Sequence, residues 1–148
     1  MTDLTQIRIF LTGSRAKFTL VSKVTGVRYT YRFSRGKDPL KTWVSVLVGT
    51  DNQSDYVKIG CVYRIDRLAQ RPGTHPKAGF WWAPERKDAP STAGIRWFLE
   101  HLRDSLTVDW FQRIEFWHAG VCSRCGRELT DPESIARGLG PICAEAAP

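Results

Sequence analysis

Four candidate ligands stand at a fixed spacing near the end of the sequence, His118-x3-Cys122-x2-Cys125-x17-Cys143. Zinc takes four tetrahedral ligands, and thiolate and imidazole suit it. Residues 118–148 must therefore fold back on themselves to close the set. The knuckle Cys122-Ser123-Arg124-Cys125 is followed at once by Gly126, which permits a tight turn with backbone N–H groups aimed at sulfur. Thr130-Asp131-Pro132-Glu133 fits a capping box with proline in the first turn, so a short helix is expected over Pro132–Arg137, ending at Gly138. Gly138-Leu139-Gly140-Pro141-Ile142 then returns the chain to deliver Cys143. Large apolar residues are few here, mainly Leu129, Ile135, Leu139 and Ile142. One structural Zn2+ would supply the missing cohesion.

Free buried thiols are the alternative for these cysteines. Met1–Thr5 has no basic start and no apolar stretch, so no secretory signal is expected there. No apolar run approaches the ~20 residues of a membrane-spanning helix. The expected compartment is a reducing cytoplasm, which disfavours disulfides and leaves metal ligation as the better use of clustered cysteines. A catalytic zinc would need an open position and a nearby base. Neither the deaminase pattern nor H-E-x-x-H occurs. A P-loop, G-x-S-x-G and G-x-G-x-x-G are also missing, so a non-enzymatic role is expected. Cys61, far from the cluster, reads as a small core hydrophobe.

The rest of the chain is basic and strand-rich. Net charge is +7, but residues 1–79 carry a net +9 and residues 80–148 a net −2. Val27, Tyr29, Tyr31 and Phe33 alternate with Arg28, Thr30 and Arg32, so one strand face is apolar and the other basic. With Lys17–Lys23 before the turn at Val24-Thr25-Gly26, this is a hairpin. Arg15, Lys17, Lys23, Arg28, Arg32 and Arg35 are the candidate partner-binding cations. They would contact a polyanion or an acidic protein surface. Thr42–Val48 and Tyr56–Tyr63 read as further strands, separated by turn chemistry at 49–55, with Gly60 marking a bulge. Residues 69–90 are rich in proline and glycine and read as a long loop with room for a short strand. Its Trp81 and Trp82 are candidate interface aromatics. Ile95, Phe98, Leu99, Leu102 and Leu106 then fall on one face of a helix opening near Ser91. Ile114–Trp117 reads as a last strand.

The tail, from His118-Ala119-Gly120-Val121-Cys122-Ser123-Arg124-Cys125-Gly126-Arg127-Glu128-Leu129-Thr130-Asp131-Pro132-Glu133-Ser134 to Gly138-Leu139-Gly140-Pro141-Ile142-Cys143, resembles a family of small phage and prophage proteins of uncharacterised function. Phe18–Ser22, Thr25–Tyr31, Gly49–Asn52 and Asp55-Tyr56 resemble the β region of the same family. The resemblance implies phage origin and a metal at His118, Cys122, Cys125 and Cys143. It supplies no activity.

The expected architecture is α+β. A twisted antiparallel sheet carries one amphipathic helix in a basic unit over 1–117, followed by a zinc module over 118–148. The expected partner is a host protein or ribonucleoprotein complex, or a nucleic acid, met in the bacterial cytoplasm without a membrane. The two roles in view are an anti-CRISPR-like inhibitor of a host defence complex and a nucleic-acid-binding accessory factor in phage replication or transcription.

Overall fold

Alternating apolar residues on successive segments pair into one six-stranded antiparallel sheet. A computed structural model describes residues 1–51 and 53–147; Asn52, in the expected turn at 49–55, and Pro148 lie outside the described residues. The strands are β1 (Lys17–Ser22), β2 (Arg28–Arg35), β3 (Lys41–Leu47), β4 (Tyr56–Tyr63), β5 (Gly79–Trp82) and β6 (Ile114–His118). Their spatial order is β5-β4-β3-β2-β1-β6. Five strands thus run as a meander, and the sixth returns to the free edge of β1. The register slips between Val44, opposite Gly60, and Ser45, opposite Lys58, which leaves Ile59 as the extra residue of a bulge.

Helices cover one side only. Helix α1 (Leu4–Leu11) supplies Ile7, Phe10 and Leu11 to the core, and α2 (Pro90–Asp104) supplies Ile95, Phe98, Leu99 and Leu102. They meet Phe18, Leu20, Tyr31, Phe33, Val44 and Val46 from the sheet. A single helix on the sheet was expected; α1 is the second. Its start is set by Asp3, whose carboxylate accepts from the N–H groups of Thr5 and Gln6. Helix α2 begins at Pro90 in its first turn and stops at Asp104, so Leu106 falls beyond it and is 67% exposed rather than on the apolar face. His101 is half-buried, with its ring 4.2 Å from that of Trp97. The expected short strand in the Pro/Gly-rich stretch is β5. Among the described residues, no helix is long and apolar enough to cross a membrane.

Tyr31 ties sheet to helix. Its hydroxyl donates to the Ser91 carbonyl at 2.6 Å from a fully buried position. Burial, and secondarily Tyr29, push its phenol well above the ordinary tyrosine range. The neutral form is therefore the one the fold accepts. Its contribution is intact below the unfolded pKa near ~10 and is lost as pH rises beyond it. Tyr31→Phe is expected to cost about 1–2 kcal/mol at neutral pH, because the Ser91 carbonyl loses its donor. The same variant should lose less stability than the parent between pH 9 and 11, as read by denaturant unfolding.

Candidate functional site

The face of the sheet opposite the helices carries side chains in ordered rows. Lys17 pairs with Arg32, Arg32 with Ser45, and Ser45 with Lys58, so four neighbouring strands contribute one row containing three cations. On one side of it lies Ser34–Trp43–Cys61–Trp81, again in register. On the other side Trp117 pairs with Thr19, which pairs with Thr30, and Leu47 pairs with Tyr56. Arg28, opposite Val21, and Lys41, opposite Tyr63, extend the basic surface. Among the strand residues of this face the only acid is Glu115 of β6.

Cations and rings interleave there. The Arg32 guanidinium lies 4.2 Å from the centre of the Tyr56 ring, and Lys58 Nζ lies 4.9 Å from that of Trp43. Such contacts hold long basic side chains against the sheet while their charge stays at the surface. Trp43 and Trp81 meet edge to face at 6.3 Å. Cys61 is buried on this face, opposite Trp43 and Trp81, rather than in the main core. Burial pushes its thiol up, with Lys41 opposing in part.

The candidate cations divide into three places. Lys17, Arg28 and Arg32 share the open face. Lys23 is exposed at the hairpin turn. Arg15 and Arg35 lie elsewhere, lining with Arg124 a cavity of about 370 Å3. Arg35 belongs to the helix side of β2, opposite Thr42, and its guanidinium donates to Ser14 Oγ at 2.9 Å. Of the two candidate tryptophans, Trp81 stands on the open face at 50% exposure. Trp82 turns the other way and packs against the main core, its ring filling the space over Gly60 that a Cβ would occupy. Sequence alternation alone missed Trp43, Tyr56, Lys58, Tyr63 and Trp117.

In the tail, the sulfurs of Cys122, Cys125 and Cys143 lie within 4.8 Å of one another and could hold a metal ion. Cys122 is buried, Cys143 half-buried and Cys125 at the surface. Burial works against ionisation of the Cys122 thiol, but hydrogen bonds from the backbone at Cys125, Gly140 and Arg124 outweigh it and bring the thiol down to about 7. Cys143 is pushed up to about 11, by burial and then by the neighbouring thiols of Cys122 and Cys125. A cation among the three sulfurs would relieve that crowding. Cys143 is carried on the one-and-a-half-turn helix α4 (Pro141–Glu145). The expected helix α3 (Pro132–Arg137) is present, with Asp131 accepting from the Ser134 N–H and Gly138 ending it in the left-handed region.

His118, expected as the fourth ligand, stands outside this group. Its Nδ1 accepts from the Gly120 N–H at 3.0 Å, and its Nε2 bonds the Ile135 carbonyl. Both ring nitrogens are thus engaged with backbone, and the ring fastens β6 to the end of α3.

Residues 117–147 match a family of unknown function, DUF6011. The match starts at the end of β6 and takes in all three clustered cysteines. No curated protein and no solved structure matches the chain.

The matched segment docks on α1. Cys122, Leu129 and Leu139 form a small buried cluster against Ile9, and the Arg15 N–H donates to the Ser123 carbonyl at 2.8 Å. Gly138 has φ +72°, and a Cβ there would overlap the Phe10 ring. Gly138→Ala is therefore expected to cost about 2–4 kcal/mol, combining left-handed strain with overpacking. Thermal unfolding of the full chain checks this.

Proposed function

We propose that this protein is a non-enzymatic nucleic-acid-binding protein that makes its contact with the uncovered face of the sheet. The observation that carries the reading is the Lys17–Arg32–Ser45–Lys58 row with aromatic side chains on both flanks. A row of cations on a rigid sheet neutralises successive phosphates, and adjacent rings offer surfaces to bases. Of the two roles expected from the sequence, an accessory factor in phage replication or transcription suits this face better than an inhibitor of a host defence complex. An inhibitor needs a surface shaped to one protein, whereas an open basic face suits a repeating polyanion. Phage origin rests on the resemblance of the tail.

The test is direct binding with a salt titration. The parent should bind oligonucleotides with a log–log salt slope near −0.7 to −0.9 per phosphate contacted. The double variant Arg28→Glu/Arg32→Glu should lose most of that affinity and stay folded with only a small drop in thermal midpoint, since both side chains point away from the core and Arg32 gives up only surface contacts with the Tyr56 ring and the Gln53 carbonyl. Unchanged affinity in the double variant would move the contact off this face. Loss of a host-complex interaction without any nucleic-acid binding would favour the inhibitor.

The tail, in the same reading, holds one zinc ion through Cys122, Cys125 and Cys143. Soft thiolates select zinc, whose role here is structural; the three cysteines fill three of its four tetrahedral positions, and the fourth falls to a donor outside the cluster. The purified protein is expected to contain one equivalent of zinc by metal analysis. Cys125→Ser should abolish it, while His118→Ala should retain it, because His118 already bonds backbone at both nitrogens. Zinc lost equally from both variants would make His118 the fourth ligand.

A further inference from the structure

We propose that the open face selects an unpaired nucleic-acid strand and seats one of its bases on Trp117; this rests on the nucleic-acid reading above. Trp117 is 57% exposed on β6, at the edge of the sheet. Its indole N–H donates to Glu115 at 3.2 Å, which satisfies its one polar atom. Beside the ring opens a cleft of about 460 Å3, lined by Lys17, Thr19, Arg28, Thr30 and Gln53. That volume is in the range of small-ligand sites. The Thr19 and Thr30 hydroxyls bond each other at 2.7 Å across β1 and β2 and line the cleft with groups that can donate or accept.

The chemistry of this cleft fits a nucleotide more closely than a bare polyanion. A base has a π-face for the ring, polar edges for the hydroxyls, and a phosphate within reach of cations such as Arg28. In a duplex the bases are stacked inside and their faces are inaccessible, so a ring on a flat sheet cannot engage them. Trp81, also half-exposed, sits on β5 at the opposite edge of the sheet. Five strand spacings separate the two edges, about 24 Å at ~4.8 Å each. That span accommodates roughly seven nucleotides at ~3.4 Å per stacked step, and fewer if the strand is stretched. An acidic protein segment would use the cations but has no base to place on Trp117.

The experiment uses the full-length chain and four labelled probes: 12-mers of dT and of rU, a 12-base-pair DNA duplex, and heparin. Fluorescence anisotropy at fixed salt should show the single strands binding at least tenfold tighter than the duplex. Tryptophan emission should be quenched by the single strands. Trp117→Ala should weaken single-strand binding about tenfold or more. It should leave heparin affinity within twofold and the salt slope unchanged. Trp117→Phe should recover most of the loss, which separates stacking from misfolding. A dT or rU preference, or equal binding of both, each supports the proposal and names the sugar accepted. Equal affinity for duplex and single strand, or no effect of Trp117→Ala, overturns the single-strand inference and leaves nucleic-acid binding standing. Binding of heparin alone, with no oligonucleotide bound at low salt, overturns both.

Discussion

Cys122→Ser is expected to strip the metal and release residues 119–147 from helix α1. The sulfur is fully buried, and only Leu129 and Leu139 share its small buried cluster. So small an apolar cluster leaves most of the cohesion of the tail to bonds that would tie Cys122, Cys125 and Cys143 through one ion, and binding free energy at a structural zinc site is folding free energy. Hydrogen exchange read peptide by peptide should show the tail amides exchanging rapidly in the variant, and in the parent after chelation. Amides of β2, β3 and β4 should stay protected in both. A tail that remains protected in chelator would mean that packing alone holds it.

Phe18→Ala is expected to destabilise the protein by about 3–5 kcal/mol, the range for deleting a large aromatic from a core. The ring is 1% exposed and lies where three strands and α2 converge. Its centre is 5.0 Å from that of Phe116, 5.3 Å from Phe33, 5.8 Å from Tyr31 and 6.4 Å from Phe98. Paired strands and helix α2 around the ring leave the site little freedom to collapse, which places the cost in the upper part of the range. Phe98→Ala should fall in the same band. The two rings are in one cluster, so the double variant should depart from additivity by 0.5 kcal/mol or more. Equilibrium denaturation of the four proteins measures all of this. A Phe18→Ala cost below ~1 kcal/mol would mean the aromatic cluster is not the core.

Where one physical signal dominated, the sequence was readable. The alternation of Tyr29–Phe33 yielded β2 with its two faces divided, whereas Val27, expected on the apolar face, precedes the strand and is 50% exposed. The Asp131-Pro132 start and Gly138 stop bounded α3, because caps are local chemistry. Helix α1 was missed although Leu4, Ile7 and Leu11 recur at helical spacing behind an Asp3 cap. At eight residues it is too short to be stable from its own propensity and exists because the sheet buries it. The open face was read only in part for a different reason. Trp43 sits in a run, Thr42–Val48, that is nearly all apolar and β-branched, so its period-two alternation is masked. Ser45 is buried on the open side under its neighbours, which hides the pattern further. Arg35 obeys the alternation: it is in phase with Tyr31 and Phe33, faces the helix side and bonds Ser14, so charge alone does not place it with Arg28 and Arg32. His118 was placed by spacing and by the resemblance of the tail, and neither shows that Gly120 and Ile135 occupy both its nitrogens.

The return of β6 to β1 has a consequence for how the chain is made. Phe18 pairs with His118, and Ser22 with Ile114, so partners nearly a hundred positions apart complete the sheet. On the ribosome, β1 through β5 can assemble as a meander while the outer edge of β1 waits with its N–H and C=O groups bare. An unpaired strand edge is a template for joining another chain. The interval between synthesis of residue 22 and residue 114 is therefore the period in which nascent copies are most prone to associate edge to edge. Once β6 is in place, the Met1 ammonium bonds the Phe116 carbonyl at 3.2 Å, so the first residue of the chain is fastened by one of the last strands to emerge.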